Sequence, residues 1–386
     1  METINVLFFV LCLMTNSIGH KVDGMHNVLE DDLERHLNLI NKARVTSIQT
    51  KSGYIVDCVD INKQPAFYHP LLKNQKLQVE YFNMRKSSVK NSSTKPIYGL
   101  EKVGCPKGTV PIQKITKDDI IRGKTLFKEI SQLTDNSQVT HSAHVYLESK
   151  NGPYYGVNGI GSVYNPRVVS GQSSAGHVFV SNGKGDGLNK IVAGWHVFPQ
   201  LYNDTATHFY LVWTPDNFKT GCYNLLCSGF AQTDESYHIG APITKTSTYG
   251  GEIVEMPISF HQDEYDNWVL RLVDRDIGYF PKHIFENMFT ADQVGWGGST
   301  LTPAGVSSPP MGSGDFPKDD FIYGSYFREV GFQNDSRKGI SHGPYGDFID
   351  IYNDGPKCYG VEYYGNQGGK VGYSLMFGGP GGNCNN

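Results

Sequence analysis

The sequence predicts a mainly β protein, an antiparallel sandwich or barrel, preceded by a small mixed α/β unit. From His144 to the C-terminus, short aromatic and β-branched runs alternate with Gly, Asn and Pro turns about every 8 to 12 residues. Glycine (44), tyrosine (23) and phenylalanine (20) are plentiful among the 386 residues, as is typical of turn-rich β proteins. A chain of this length can bury a full core and carry two domains.

Residues 1–19 are predicted to form a secretory signal peptide. An apolar stretch from Ile4 to Met14 is followed by small residues, and cleavage is expected near Gly19 or His20. No Lys or Arg precedes the stretch, although signal peptides usually carry one. A membrane anchor needs about 20 apolar residues, and this stretch is shorter. The protein is therefore expected to be secreted and extracellular.

The first unit is predicted to cover residues 20–130, and the β domain residues 131–386. Within 27–44, apolar residues recur at helical spacing. The segment 54–78 contains a strand-like run and then a Pro-punctuated stretch. The polar stretch 116–138 is predicted to be a linker, with Arg122 and Lys128 accessible to proteases.

The cysteines predict three disulfides. Cys12 would leave with the signal, and the other six of the seven fall into three neighbourhoods. Sequential pairing is the simplest of the possible pairings and fits a secreted chain. It gives Cys58–Cys105, Cys222–Cys227 and Cys358–Cys384. "CYNLLC" has four residues between its thiols and no His at ligand spacing, so a disulfide is favoured over zinc.

The remaining polar features predict glycosylation and argue against other partners. Asn91, Asn203 and Asn334 head N-x-S/T sequons, which fit a glycosylated chain. The formal net charge is −4, so no excess of basic charge indicates binding to nucleic acid or an anionic membrane. The sequence does not indicate an oligomeric state.

No motif indicates a metal or a cofactor. His141 and His144 are three residues apart, but no Asp, Glu or Cys stands near them at ligand spacing. "NGKGDGL" lacks the βαβ context of a phosphate loop and is predicted to be a hairpin turn. Glu252 and Glu255 are also three residues apart, which on a strand places them on opposite faces.

Several stretches in order resemble the neprosin family of secreted plant proteins. In the first unit they are "GYIVDCVDINKQPAFYHPLLKNQKLQ" and "CPKGTVPI". In the β domain they are "IVAGWHVFP", "FYLVWTPDNFKTGCYNLLCSGFAQT", "STYGG", "IGYFP", "WGGST" and "MGSGDFP". Together they cover most of residues 50–384.

The resemblance implies a removable activation-peptide domain that packs over the substrate cleft. It also implies an antiparallel sandwich of two curved sheets whose concave face forms that cleft. The activity it implies is endopeptidase cleavage after proline under acidic conditions. Two Glu side chains would do the chemistry, one activating water and the other protonating or polarising the scissile amide.

Both family positions of the catalytic Glu are substituted in this chain. The first stands in "I-E-A-G-W", where this sequence has "IVAGW", so Val192 replaces the acid. The second stands in "W-G-G-E", where this sequence has "WGGST", so Ser299 replaces it. The flanking Gly194 and Trp195 remain.

Two functions are therefore weighed. The first is a catalytically silent binder of extended, possibly Pro-rich polypeptide, with no cofactor. Its predicted cleft lining is Trp195, Trp213, Tyr249, Trp296, Gly297 and Gly298. The alternative is an active proline-directed endopeptidase whose acid has moved to Glu252, Glu255 or Asp292.

Overall fold

The computed structural model describes residues 33–35, 37, 38, 41–72, 99–131, 138–334 and 343–384. The predicted fold class is confirmed, since antiparallel strands dominate and the activation-peptide region precedes the main domain. The signal peptide at 1–19 and the sequon at Asn91 lie outside the described residues. Of the helix predicted within 27–44, the described residues 33–35, 37, 38 and 41 are helical.

The N-terminal unit is a three-stranded antiparallel sheet followed by a helix. The strands run in the order β1-β2-β3. Their bounds are β1 Arg44–Gln49, β2 Ile55–Asp60 and β3 Thr109–Gln113, and helix α1 spans Lys117–Ser131. Thus residues 117–131, predicted to be part of an exposed linker, are helical.

A capping box explains why the helix begins where it does. The backbone N–H of Asp119 donates to Thr116 Oγ1 at 3.2 Å, and the N–H of Thr116 donates to Asp119 Oδ2 at 2.8 Å. Ile120, Leu126 and Phe127 are buried on one side of α1. The linker prediction is therefore wrong for this segment, because its apolar side chains follow a helical period.

The β domain consists of two large antiparallel sheets packed face to face. One has seven strands in the order β16-β4-β14-β6-β7-β8-β9, and the other has eight in the order β10-β13-β12-β11-β5-β15-β18-β17. The seven strands are β4 Gln138–Leu147, β6 Ser173–Asn182, β7 Asn189–Val197, β8 Thr207–Thr214, β9 Cys222–Tyr223, β14 Gln293–Pro303 and β16 Ile349–Asn353. The eight are β5 Gly156–Ser162, β10 Ala231–Gln232, β11 Glu255–Gln262, β12 Trp268–Leu272, β13 Arg275–Phe280, β15 Ser325–Gln333, β17 Gly360–Asn366 and β18 Tyr373–Gly378. A short helix, α2 Pro199–Tyr202, follows β7.

The three predicted disulfides are confirmed. Cys58–Cys105 joins β2 to the segment before β3, within the N-terminal unit. Cys222–Cys227 closes the loop after β9, and Cys358–Cys384 ties the C-terminal segment to the loop before β17. Among the described residues, no disulfide joins the N-terminal unit to the sandwich.

The N-terminal unit instead contacts the β domain through buried packing and hydrogen bonds. Gln64 and Gln232 exchange two of them: Gln64 Nε2 donates to Gln232 O at 2.9 Å, and Gln232 N donates to Gln64 Oε1 at 2.7 Å. The Tyr54 hydroxyl donates to Asp204 just after α2. Val110 and Ile112 of β3 belong to the same buried cluster as the sandwich core.

Two further sequence features have a place in the fold. Asn203 is exposed and left-handed (φ 64°) at the end of α2, a position accessible to glycosylation. Asn334 is partly buried, and its sequon continues beyond the described residues. Glycosylation at both stays a prediction. In the part of the chain that the structure describes, no helix is both long enough and apolar enough to cross a membrane.

Candidate functional site

Val192 and Ser299 line one cavity of about 280 Å³ on the outer face of the seven-stranded sheet, the face turned away from the other sheet. Strand alternation places them there, because successive side chains of β7 and β14 point to opposite faces. The apolar and aromatic lining residues are Ala175, Val192, Phe198, Tyr210, Val212, Phe218, Tyr223 and Leu301. The remaining lining residues are Thr140, Ser142, His144, Ser173, His177, Lys190, His196, Ser299 and Thr300.

The sheet register fixes the separation of the two positions. Across β6, Val192 pairs with Phe179 and Ser299 pairs with Ala175, a stagger of 179 − 175 = 4 residues. The two positions are also two strands apart. With about 4.8 Å between strands and about 3.4 Å per residue, their Cα atoms lie about 16 Å apart. A bound chain segment would fit between them.

Two histidines and a tyrosine occupy the floor between Val192 and Ser299. His144 Nε2 and His177 Nε2 lie 3.0 Å apart, and the Tyr210 hydroxyl lies 3.0 Å from His177 Nδ1. If Tyr210 donates to Nδ1, the proton of neutral His177 is on Nε2 and donates to His144. Both ring nitrogens of His177 are therefore engaged.

The network continues toward the N-terminal unit. His196 stacks on Tyr210 with ring centroids 4.1 Å apart, and its Nε2 lies 2.5 Å from the Tyr202 hydroxyl. Tyr202 in turn stacks on His208 at 3.6 Å, and His208 Nε2 lies 3.0 Å from Asp204 Oδ1. Asp204 accepts a hydrogen bond from the hydroxyl of Tyr54, just before β2. Ring stacking and hydrogen bonds thus alternate from the cavity floor to the N-terminal unit.

Burial keeps the floor histidines neutral. It lowers the pKa of His177 to about 3, with a further contribution from the charge of Lys190. Burial likewise lowers the pKa of His144 and of His196 well below the usual value. The pKa of Lys190 is lowered to about 8, again by burial. Around neutral pH the main charge in the cavity is therefore that of Lys190.

The predicted tryptophan lining is wrong. Trp195, Trp213 and Trp296 point from the seven-stranded sheet into the core and are at most 3% exposed. Trp195 Nε1 donates to Ser162 O at 2.8 Å, and Trp296 Nε1 donates to Asn158 O at 2.9 Å, so both indoles bind β5 of the opposite sheet. Val192 and Trp195 are an odd number of residues apart, so they cannot share a face of the strand.

The other predicted lining residues also lie outside the cavity wall. Tyr249 is half-exposed on a loop and donates to Asp315 Oδ2 at 2.6 Å. Gly298 faces inward, where a Cβ would meet the ring of Phe377 at 2.6 Å. Gly297 does face outward and adjoins the cavity, because a Cβ there would come within 2.7 Å of His144.

None of the three proposed replacement acids enters the cavity. Glu252 pairs with Lys245 at 2.6 Å on the surface. Glu255 lies on the eight-stranded sheet; burial would raise its pKa, but hydrogen bonds from Arg328 and Tyr326 outweigh this and lower it. Asp292 accepts from the N–H of Gly183 at 3.0 Å. No Asp or Glu is among the described residues that line the cavity.

Helix α1 packs against aromatic residues that line the cavity. Phe127 packs against Phe218 and Tyr223, with ring centroids 5.7 and 6.2 Å apart. Leu126 joins the same apolar cluster as Val192. No residue of α1 is among the described residues that line the cavity itself.

No metal centre is formed by the residues that the structure describes: no three His, Cys, Asp or Glu side chains are grouped so that they could hold an ion. Sequence reasoning missed His177, His196 and Lys190. The sequence could have placed Lys190 and His196 on the same face as Val192, since both are even numbers of residues away on the same strand.

Comparison with known families agrees with this architecture. The family model described as Neprosin matches residues 170–380, which is more than half of the chain. The chain belongs to the neprosin family. The model described as Neprosin activation peptide matches residues 47–157, which extends beyond α1 through β4.

Among solved structures, the crystal structure of scytalido-glutamic peptidase with a transition state analog inhibitor is similar. The TM-score is 0.36 at 10% identity, over 63% of this chain and 99% of that chain. SCP-B, a member of the Eqolisin family of peptidases, is similar with a TM-score of 0.30 at 8% identity, over 64% and 98% of the two chains. At these values the similarities carry no argument about function.

Proposed function

We propose that this neprosin-family protein is a secreted, catalytically silent binder of extended polypeptide. The observation that supports silence is the lining of the cavity. Val192 and Ser299 occupy the positions that the family resemblance assigns to the catalytic acids, and no other described lining residue carries a carboxyl group.

The chemistry explains why these substitutions matter. Val192 carries no proton at any pH, and a serine hydroxyl is neither a base nor an acid near neutral pH. A positioned acid or base contributes about 10²–10⁴-fold to rate, so two losses remove most of the acceleration. His177 offers no substitute base, because Tyr210 and His144 already engage its two nitrogens.

The shape and lining of the cavity support polypeptide binding. Phe198, Tyr210, Phe218 and Tyr223 line the cavity in place of the expected tryptophans, and Phe218 is the most exposed of the four. Pro-rich segments in polyproline II form suit aromatic-lined grooves because they lose little conformational entropy on binding. Residues 1–19 and the three disulfides support secretion.

The three acids named for the alternative, an active peptidase, do not line the cavity. Glu252, Glu255 and Asp292 each have a partner elsewhere on the surface or on the other sheet. A relocated acid would have to be a residue other than these three.

A peptide-library assay tests catalytic silence. Both the intact chain and a chain cut at a protease site inserted between Ser131 and Gln138 are incubated with Pro-containing peptides at pH 3 to 5, with circular dichroism verifying the fold. Neither form is expected to cleave. Cleavage by wild type would overturn the proposal.

A gain-of-function variant tests whether the two positions are responsible. Val192→Glu with Ser299→Glu is expected to give turnover after proline at acidic pH, because one carboxyl can then be protonated while the other acts as base. Each single Glu variant, and the neutral pair Val192→Gln with Ser299→Gln, should stay inactive. Equal turnover in the Gln pair would show that carboxylates are not what the site lacks.

A further inference from the structure

Lys190 is a cation in the cavity with no counter-ion among the residues that the structure describes. It lies two residues before Val192 on β7 and so faces the same cavity. Its Nζ sits 4.5 Å from the ring centroid of Phe179. Burial lowers the pKa of Lys190 to about 8, and no carboxylate raises it again. Among the described residues, no ion pair joins Lys190 to an acid. A partly desolvated cation of this kind is stabilised by an anion that enters with a ligand.

The position of Lys190 within the cavity indicates which part of a ligand it meets. Lys190 pairs with Thr214 on β8, and Thr214 Oγ1 accepts the N–H of Phe218 at 2.7 Å. Phe218 lines the cavity beside Lys190, and Phe127 of helix α1 packs against it. Aromatic rings therefore bound the cavity beside Lys190, and the end of an extended chain is assigned to this position.

The length of the floor fits a short peptide. Across β6, Lys190 pairs with Ser181 and Ser299 pairs with Ala175, a stagger of 181 − 175 = 6 residues. This corresponds to about 20 Å along the strands. A polyproline II segment rises about 3.1 Å per residue, so about six residues span the floor.

We propose that the cavity binds the C-terminal segment of an extended peptide, with its free carboxylate paired to Lys190. The body of the peptide lies over Val192 and Tyr210 toward Ser299. The proposal rests on the proposed function of polypeptide binding without cleavage. It adds that the site recognises a chain end by charge, where a cleft carrying two acids would repel a carboxylate.

The test compares three forms of one hexapeptide, Pro-Ala-Pro-Ala-Pro-Ala, on the full-length chain by isothermal titration calorimetry at pH 7. They are the free acid, the C-terminal amide, and an amide in which the central Ala is replaced by Glu. We expect the free acid to bind at least about tenfold more tightly than both amides, as a charge-assisted hydrogen bond allows.

Variants assign that preference to Lys190. Lys190→Met should reduce the preference for the acid over the amide to below twofold, and circular dichroism verifies that the variant is folded. Lys190→Arg should retain it. Lys184→Met, which removes an exposed charge from the same β6–β7 hairpin, is the matched control and should change nothing.

Each contrary outcome has a distinct meaning. Equal binding of acid and amide overturns the carboxylate site and leaves polypeptide binding intact. Tight binding of the Glu-containing amide would mean that the site recognises a carboxylate wherever it lies in the peptide. That result overturns the assignment of the peptide's C-terminus to Lys190. If none of the three peptides binds, this proposal is overturned. If any of the three is cleaved, the proposed function is overturned.

Discussion

The two faces of the seven-stranded sheet differ in how their side chains pack and in how polar they are. The inward face holds Trp195 and Trp296, whose indoles bond to the backbone of β5 and are almost fully buried. The outward face holds Val192 and Ser299 among neutral histidines and one lysine. By the sequence resemblance, the inward residues match the quoted family motifs and the outward ones replace the expected acids. Fit to those motifs therefore reports the packing of the sandwich and says little about its chemistry.

Removing an inward indole should have the largest effect. Trp296→Ala deletes a side chain that is 0% exposed and a hydrogen bond to Asn158, so the free energy of unfolding should fall by about 3 to 5 kcal/mol. Ser299→Ala, three residues later on the outward face, should change it by less than about 0.5 kcal/mol. Chemical denaturation measures both. A similar loss for the two variants would break the distinction between the faces.

The second-largest expected effect is destabilisation by acid, through a buried histidine of the outward face. The pKa of His177 is about 3 in the folded chain and about 6.5 when unfolded, so between these values the unfolded state binds more protons. Stability is therefore present above about pH 6.5 and is lost as pH falls, by about 1.4 kcal/mol per pH unit for one such histidine.

Denaturation of wild type and His177→Gln across pH 4.5 to 7.5 measures this slope. The variant should lose about 2 to 3 kcal/mol less than wild type over that range. The exposed His283→Gln is the control and should match wild type. Parallel curves for His177→Gln and wild type would mean that His177 is protonated in the folded chain.

The smallest expected effect on the free energy of unfolding comes from the hydrogen bond between Tyr54 of the N-terminal unit and Asp204. Tyr54→Phe removes the hydroxyl that donates to Asp204, and should cost about 1 kcal/mol of unfolding free energy. Tyr68→Phe, in the same unit, is the control and should be neutral. Equal effects would mean that the Tyr54–Asp204 contact adds nothing to stability.

The sequence was sufficient where local chemistry decides the outcome. Cysteine neighbourhoods gave the correct three pairs, and turn spacing gave the correct fold class. It also singled out Val192 and Ser299, which the structure brings to one cavity. These features depend on short stretches that can be interpreted one at a time.

The site lining required strand register, which single stretches do not supply. His144, His177 and Tyr210 lie on three different strands and meet only because the strands pair in one alignment. The tryptophans were misplaced for a simpler reason, since alternation along β7 alone separates Trp195 from Val192. The α1 helix was missed although Thr116 and Asp119 have the spacing of a capping box.

The shared core of the N-terminal unit and the sandwich has a consequence for cooperativity. Val110 and Ile112 of β3 are buried in the same cluster as Ile239, Ala241 and Ile243 of the long segment between β10 and β11. The two units therefore bury apolar surface in one common cluster, so separating them would expose apolar side chains of both. The two units should melt as one calorimetric transition, and cutting the chain between them should leave the halves bound to each other until both unfold.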